Sequence, residues 1–175
     1  MEKKRIWELG RDTVETYREK TKLPLVLVVD NVRSLNNIGA MFRTADAFLV
    51  SQIVLCGISS PPPSPEIHKT ALGAEETVAW SYYTDTIEAI EVLRASGYTI
   101  CCLEQVKGSI ELQKFEVSDA GKYAIVVGNE VDGVDQRVVD ASDVALEIPQ
   151  HGTKHSLNVS VSAALSLWHF FLQLT

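Results

Sequence analysis

Glycine-rich phosphate loops are missing from this chain of 175 residues: no Gly-x-Gly-x-x-Gly follows the first predicted strand, and no Gly-x-x-x-x-Gly-Lys-Ser/Thr occurs anywhere. Dinucleotide and P-loop chemistry are therefore disfavoured. Cysteine is scarce and odd in number. Cys56, Cys101 and Cys102 fall in or beside predicted strands without metal-type spacing, so they read as reduced core thiols of a cytoplasmic protein. His151 and His155 flank Gly152 in a predicted loop with no Cys or carboxylate at ligand spacing, and no metal is expected. Ser156 has no His/Asp pair arranged for a triad, which argues against hydrolase chemistry. No long uncharged apolar run is present, and Met1-Glu2-Lys3-Lys4-Arg5 leads into an amphipathic segment, not a signal-peptide core. The expectation is a soluble, unexported protein without a membrane partner. Internal repeats and low-complexity tracts are absent as well.

Positive charge is also short. Sixteen Lys and Arg face 23 Asp and Glu, a net charge of −7, which argues against a generic nucleic-acid binder because phosphate binding draws on Lys and Arg to release counterions. Distribution matters more than the sum: Lys3, Lys4, Arg5, Arg11, Arg18, Lys20 and Lys22 gather near the N-terminus. That segment, residues 1–22, is a helical extension read either as a solvated, partly docked helix over residues 3–19 or as an arm facing a nucleic acid; Pro24 ends it.

What is present fits one domain over residues 1–175, since 46% hydrophobic residues supply a core and the length is too short for two ordinary domains. Continuous β-rich runs at residues 25–29, 52–56, 98–103, 123–127 and 144–148 read as strands buried on both faces, with a further short strand at 77–83. Helical spacing appears at residues 37–49, 86–96 and 135–141 and from Ser156 onward, with a short helix at 66–71 and Pro/Ser-rich loop at 57–65. His68 reads as structural. Strands alternating with helices give an α/β, Rossmann-like, mostly parallel sheet.

The C-terminal stretch organises the rest. Strand 123–127 runs into Gly128-Asn129-Glu130, and strand 144–148 into Pro149-Gln150-His151-Gly152, followed by a helix start at Ser156-Leu157-Asn158 whose hydroxyl is suited to capping. Loops after parallel strands are where such sheets place ligands. The pattern Ile148-Pro149-x-x-Gly152-x-x-x-Ser156-Leu157-Asn158-Val159-Ser160 resembles the last signature of the SpoU (TrmH-like) RNA 2′-O-ribose methyltransferases of the SPOUT superfamily. Gly128-Asn129-Glu130 resembles the middle signature, and Asn37-Ile38-Gly39-Ala40-Met41-Phe42-Arg43-Thr44-Ala45 the first, in family order. Val131 and Gln150 stand where the family often has Gly and Met.

The resemblance implies a deep trefoil knot and cofactor region within residues 123–171, a homodimer, and S-adenosylmethionine held by main chain around Leu103, Gly128, Ile148, Gln150 and Leu157. Gly128 and Gly152 read either as turn glycines or as points of close backbone approach. Arg43, opposite the apolar face of Ile38, Phe42, Ala45 and Leu49, reads as a surface charge alone and as the principal catalytic residue in the family context, with Gly39 one turn before it leaving the approach open. Since guanidinium stays protonated in proteins, a phosphate clamp that stabilises charge on the ribose oxygen is favoured over a literal base. Asn37 is a helix cap or a substrate-orienting residue, Glu130 pairs with an arginine or fixes its loop, and Ser156 and Asn158 brace the site.

Along the last helix, Leu157, Val161, Ala164, Trp168 and Phe171 make an apolar face with Asn158, Ser162, Ser166 and His169 to one side, favouring a dimer seam over plain core packing. The reading is an S-adenosylmethionine-dependent RNA 2′-O-methyltransferase, with tRNA favoured over rRNA and no DNA expected. Base methylation by another knotted branch and a non-catalytic RNA-binding assembly factor are the alternatives.

Overall fold

Chain geometry was obtained as a computed structural model that describes residues 1–10 and 12–175; Arg11 of the basic segment lies outside the described residues. Its centre is β1 (Leu23–Asp30), a run of apolar residues that pairs on one side with β2 (Val50–Cys56) and on the other with β6 (Tyr123–Val127). Strands β3 (Trp80–Tyr83), β4 (Thr99–Leu103), β5 (Ile110–Glu111) and β7 (Val144–Glu147) complete a sheet of order β3-β2-β1-β6-β4-β7-β5, parallel at every pairing.

An all-parallel sheet needs cover on both faces, and the alternation along β1 shows both being used. Leu25, Leu27 and Val29 enter one apolar cluster, Val26 and Val28 the other. The first face is covered by α2 (Leu35–Ala47) through Ile38, Met41, Phe42 and Ala45, by α3 (Pro65–Ala71) and α4 (Ala74–Thr77), and by α7 (Val159–Leu174). The second is covered by α5 (Thr86–Ala95) through Ala89, Ile90 and Leu93, and by α6 (Gln136–Ala141) through Val138. Cys56, Cys101 and Cys102 are buried and free; burial pushes the thiols of Cys56 and Cys101 up to about 12, so they sit as apolar core atoms. No helix among the described residues is long and apolar enough to cross a membrane.

Several expectations are corrected. The N-terminal helix is broken into a 3₁₀ turn at Ile6–Leu9 and α1 (Val14–Glu19), because Gly10 adopts a left-handed φ of 55° between them. Pro24 lies inside β1 and ends nothing: the β1–β2 register slips between Leu23 and Val26, so its missing N–H falls where the ladder is irregular. Residues 77–83 divide into the end of α4 and β3, with Val78 buried and Trp80 and Tyr82 exposed on the edge strand. The final helix needs no such correction: it turns Val159, Ala163, Ser166, Leu167 and Phe170 to the sheet and leaves Val161 and Trp168, on the face read as a seam, 47% and 45% exposed. It is apolar on both sides, so periodicity alone does not select the inward one.

Gly39 has another purpose than leaving Arg43 accessible. A Cβ there would collide with Thr70 Oγ1 and the Ile67 carbonyl oxygen, so the missing side chain lets α2 lie directly on α3. Gly39→Ala is expected to cost about 1–3 kcal/mol through overpacking, read as a melting temperature lowered by several degrees with the circular dichroism spectrum unchanged.

Candidate functional site

Parallel strands end together, so the loops after β1, β4, β6 and β7 open on one edge of the sheet. Between those after β4, β6 and β7 lies a cavity of about 560 Å³, a size suited to a small-molecule ligand. All five expected cofactor residues, Leu103, Gly128, Ile148, Gln150 and Leu157, line it.

The wall after β6 is a closed loop. Asn129 N donates to the Gly133 carbonyl at 2.9 Å and Gly133 N returns a bond to the Asn129 carbonyl at 3.1 Å. Asn129 Oδ1 accepts from Val131 N (2.8 Å) and Asp132 N (3.2 Å), and its amide donates to the Asn31 carbonyl at 2.7 Å, tying the loop to the end of β1. A side chain on Gly128 would strike the backbone of Gly133 and Val134, so close approach is required here. At Gly152 it is not: nothing lies within 4 Å of a Cβ, the residue is exposed, and it is not among those lining the cavity. Of the two readings of Gly152, a plain loop glycine is therefore the one the geometry favours.

Glu130 binds the first signature to the second. Its carboxylate accepts from Arg33 N at 3.1 Å, Ser34 N at 3.0 Å and Asn37 Nδ2 at 3.1 Å, so it fixes the loop entering α2; an arginine side chain is not among its partners in the described residues. Partial burial works to raise its pKa, but the donors from Arg33, Ser34 and Asn37 outweigh it and hold the carboxyl below the ordinary range. Asn158 Nδ2 donates to Asn37 Oδ1 at 3.1 Å, extending the chain to the third signature. Asn158 is also the cap of α7, accepting from Ser160 N at 2.9 Å and Val161 N at 3.4 Å. The capping assigned to Ser156 is thereby corrected: Ser156 precedes the helix, is exposed, and lines the cavity. Asn37 caps nothing, because Ser34 Oγ accepts from Asn37 N at 3.2 Å and is the cap of α2.

Arg43 is the residue not brought in. It is exposed on α2 and is not among the cavity-lining residues. Sequence reasoning missed the carboxylates of Asp132 and Glu147, which join Glu104 and Glu130 in the lining, while no Lys or Arg among the described residues does. The available signal was the place of Glu147 at the end of β7 and of Asp132 in the loop after β6. It also missed Asp30, a buried carboxylate that accepts from Thr86 Oγ1 (2.5 Å), Asn31 Nδ2 (2.9 Å) and Asp135 N (2.9 Å).

Residues 24–168 match the SpoU rRNA Methylase family. The chain belongs to this family. A 23S rRNA (guanosine-2'-O-)-methyltransferase RlmB of Neisseria meningitidis is 33% identical over 144 residues, covering 82% of this chain and 56% of that protein. The Vibrio vulnificus protein of the same name is 30% identical over 161 residues, covering 92% of this chain and 64% of its own. The chain thus spans well under two thirds of one relative's length and just under two thirds of the other's. Among solved structures, the A. aeolicus TrmH/SpoU tRNA modifying enzyme superposes with a TM-score of 0.80 at 25% identity, covering 91% of this chain and 81% of that one. An AdoMet-bound rRNA methyltransferase from Sinorhizobium meliloti superposes with a TM-score of 0.80 at 25% identity, covering 91% and 60%. Of the two departures from the SpoU pattern, Val131 is accommodated without a positive φ at the exposed loop tip, and Gln150 lines the cavity.

A carboxylate whose pKa is depressed on folding stabilises the fold above its unfolded pKa, and that contribution is lost as pH falls through the folded value. Glu130→Gln is expected to lose about 1 kcal/mol at pH 7, the size of charge-assisted hydrogen bonds at an exposed site. Thermal unfolding across pH 7 to 3 checks this: the gap between wild type and variant should close as the medium becomes more acidic than ordinary carboxylate pKa values.

Proposed function

We propose that this SpoU-family chain is an S-adenosylmethionine-dependent RNA 2′-O-ribose methyltransferase. The carrying observation is the cavity whose walls carry the second and third signatures, with the first tied to both by the Glu130–Asn37–Asn158 hydrogen-bond chain. Its residues fit the cofactor: the main chain folds tightly at Gly128, the volume suits a nucleoside with an amino-acid tail, and a lining with four carboxylates and no Lys or Arg favours a cation. When bound, S-adenosylmethionine supplies an electrophilic methyl group whose bond to sulfur breaks as the ribose oxygen attacks.

The protein's share is binding, alignment and charge stabilisation. Main chain at Gly128, Ile148 and Leu157 would hold the cofactor, with Leu103 and Gln150, at or just past the ends of the paired strands β4 and β7, completing the wall. Asn37, oriented by Glu130 and Asn158, presents its amide to the substrate edge of the site. Arg43 clamps an RNA phosphate and stabilises the developing ribose alkoxide, while the 2′-hydroxyl proton passes to a phosphate oxygen or water. The exposure of Arg43 outside its own cavity supports a site shared between two subunits. A homodimer through α7 is further supported by the exposed stripe Val161, Leu165, Trp168 and Leu172. The same reading takes residues 1–175 as one methyltransferase domain with an N-terminal extension at 1–22, working in the cytoplasm. It includes a deep trefoil knot within residues 123–171, supported by insertion of β7 between β4 and β5, both earlier in the chain. Transfer RNA is the first substrate to test, because the A. aeolicus relative is named a tRNA modifying enzyme; the relatives named for 23S rRNA make ribosomal RNA the second.

Methyl transfer into mixed cellular RNA, with nuclease digestion and mass spectrometry, tests the proposal: label on ribose supports it, label on a base or none overturns it. Arg43→Ala should change stability by under about 0.5 kcal/mol and lower the transfer rate by about 10²–10³. Arg43→Lys keeps the charge without the planar fork and should retain measurable activity with no new lysine-like titration. In sedimentation at micromolar concentration, wild type should be a dimer and Leu165→Glu a folded monomer.

A further inference from the structure

Two side chains outside all three signatures carry the geometry of the remaining cavity walls. Glu104 follows β4 directly. Its Oε2 accepts from Val134 N at 3.0 Å and its Oε1 from Gln105 N at 2.8 Å, so one carboxylate spans the segments after β4 and β6. Contact is close enough that a Cβ on Gly133 would collide with Glu104 Oε2. Gln105 Nε2 in turn donates to the His155 carbonyl at 2.9 Å. Among the described residues this is the one hydrogen bond that residues 149–157 make, although they carry Gln150, Ser156 and Leu157 into the cavity.

We propose that Glu104 and Gln105 are a pair of positioning residues that latch the third cavity wall to the first two in the cofactor-binding arrangement, an inference that rests on the S-adenosylmethionine reading above. The Glu130–Asn37–Asn158 chain fixes the entrance to α7 from one side. The latch fixes the preceding loop from the other. Glu104 sets the backbone of Gln105, and Gln105 sets the loop, so the two act in series and their effects on cofactor affinity are not additive.

Calorimetric titration of the full chain with S-adenosylmethionine tests this on wild type, Gln105→Ala, Glu104→Gln, the double variant and a control, Asp143→Asn. Asp143 Oδ2 accepts from Ile100 N at 2.7 Å near the opposite end of β4, so the control removes a comparable carboxylate bond away from the cavity. Each latch variant should weaken binding about tenfold, within what a loop displacement on the order of 1 Å does to a positioned site. The double variant should be weaker than the worse single by no more than about threefold. In methyl transfer, KM for the cofactor should rise while kcat at saturating cofactor stays within about twofold, since the reacting groups themselves are untouched. Asp143→Asn should lower the melting temperature and leave cofactor affinity unchanged. Unchanged affinity in Gln105→Ala and Glu104→Gln, fully additive losses, or a loss in Asp143→Asn that tracks its melting temperature would each overturn the latch while leaving the cofactor reading standing. Failure of wild type to bind overturns both.

Discussion

A carboxylate buried at the end of the central strand must be satisfied from every side, and much of this molecule is arranged around that demand. Asp30 is 1% exposed, and an unpaired charge there would cost several kcal/mol. Thr86 at the start of α5, Asn31 in the first loop and the main chain of Asp135 at the entrance to α6 all donate to it. Both helix starts contribute partial positive charge at the same point. Since Asp135 closes the segment that begins at Gly128, that end of the loop is anchored to the sheet centre by Asp30, with Glu104 beside it on Val134 N, and Glu130 ties the rest to the entrance of α2. Carboxylates accepting main-chain N–H groups are the recurrent device here.

Legibility from sequence followed the range of the interactions involved. Buried parallel strands were readable because cover on both faces demands continuous apolar runs, as in β1 and β6. The candidate site was legible where one short pattern held several of its residues: Leu103, Gly128, Ile148, Gln150 and Leu157, grouped by the resemblance, line one cavity. The resemblance also picked out Asn37, Glu130 and Asn158, although their mutual hydrogen bonds depend on a contact across more than ninety positions. Features decided by a distant partner were not readable. Gly39 looked like open access and proved to be a helix–helix contact with Thr70 and Ile67. Gly152 read either as a cradle or as a turn glycine, and the open space around it favours the second. Periodicity alone could not select the inward side of α7, a helix that is apolar on two sides.

The acidic balance of the chain takes a definite form in the structure. Part of the N-terminal basic charge is internally occupied: Lys20 pairs with Asp12 at 2.5 Å, and the Lys22 ammonium lies 3.5 Å from the centre of the Tyr17 ring. Arg33 and Arg43 remain exposed on the loop and helix that Glu130 of the cavity wall holds through Arg33 N and Asn37. Negative charge is concentrated inside the pocket instead, where a sulfonium would be held, and positive charge lies outside it, where phosphates would pass. That separation reconciles an acidic protein with a polyanionic substrate, because the two ligands would meet surfaces of opposite sign.

Central placement of β1 also bears on how the molecule comes to be made. Leu25 pairs with Tyr123 and Val29 with Val127, so during synthesis β1 keeps one edge of unpaired N–H and C=O groups until β6 has followed it out of the ribosome. Pairing over such sequence separation is slow, and an open parallel edge is prone to recruit foreign strands. The nascent chain therefore passes through an interval in which its best core strand is its greatest aggregation hazard, ended only when β6 slots in beside it.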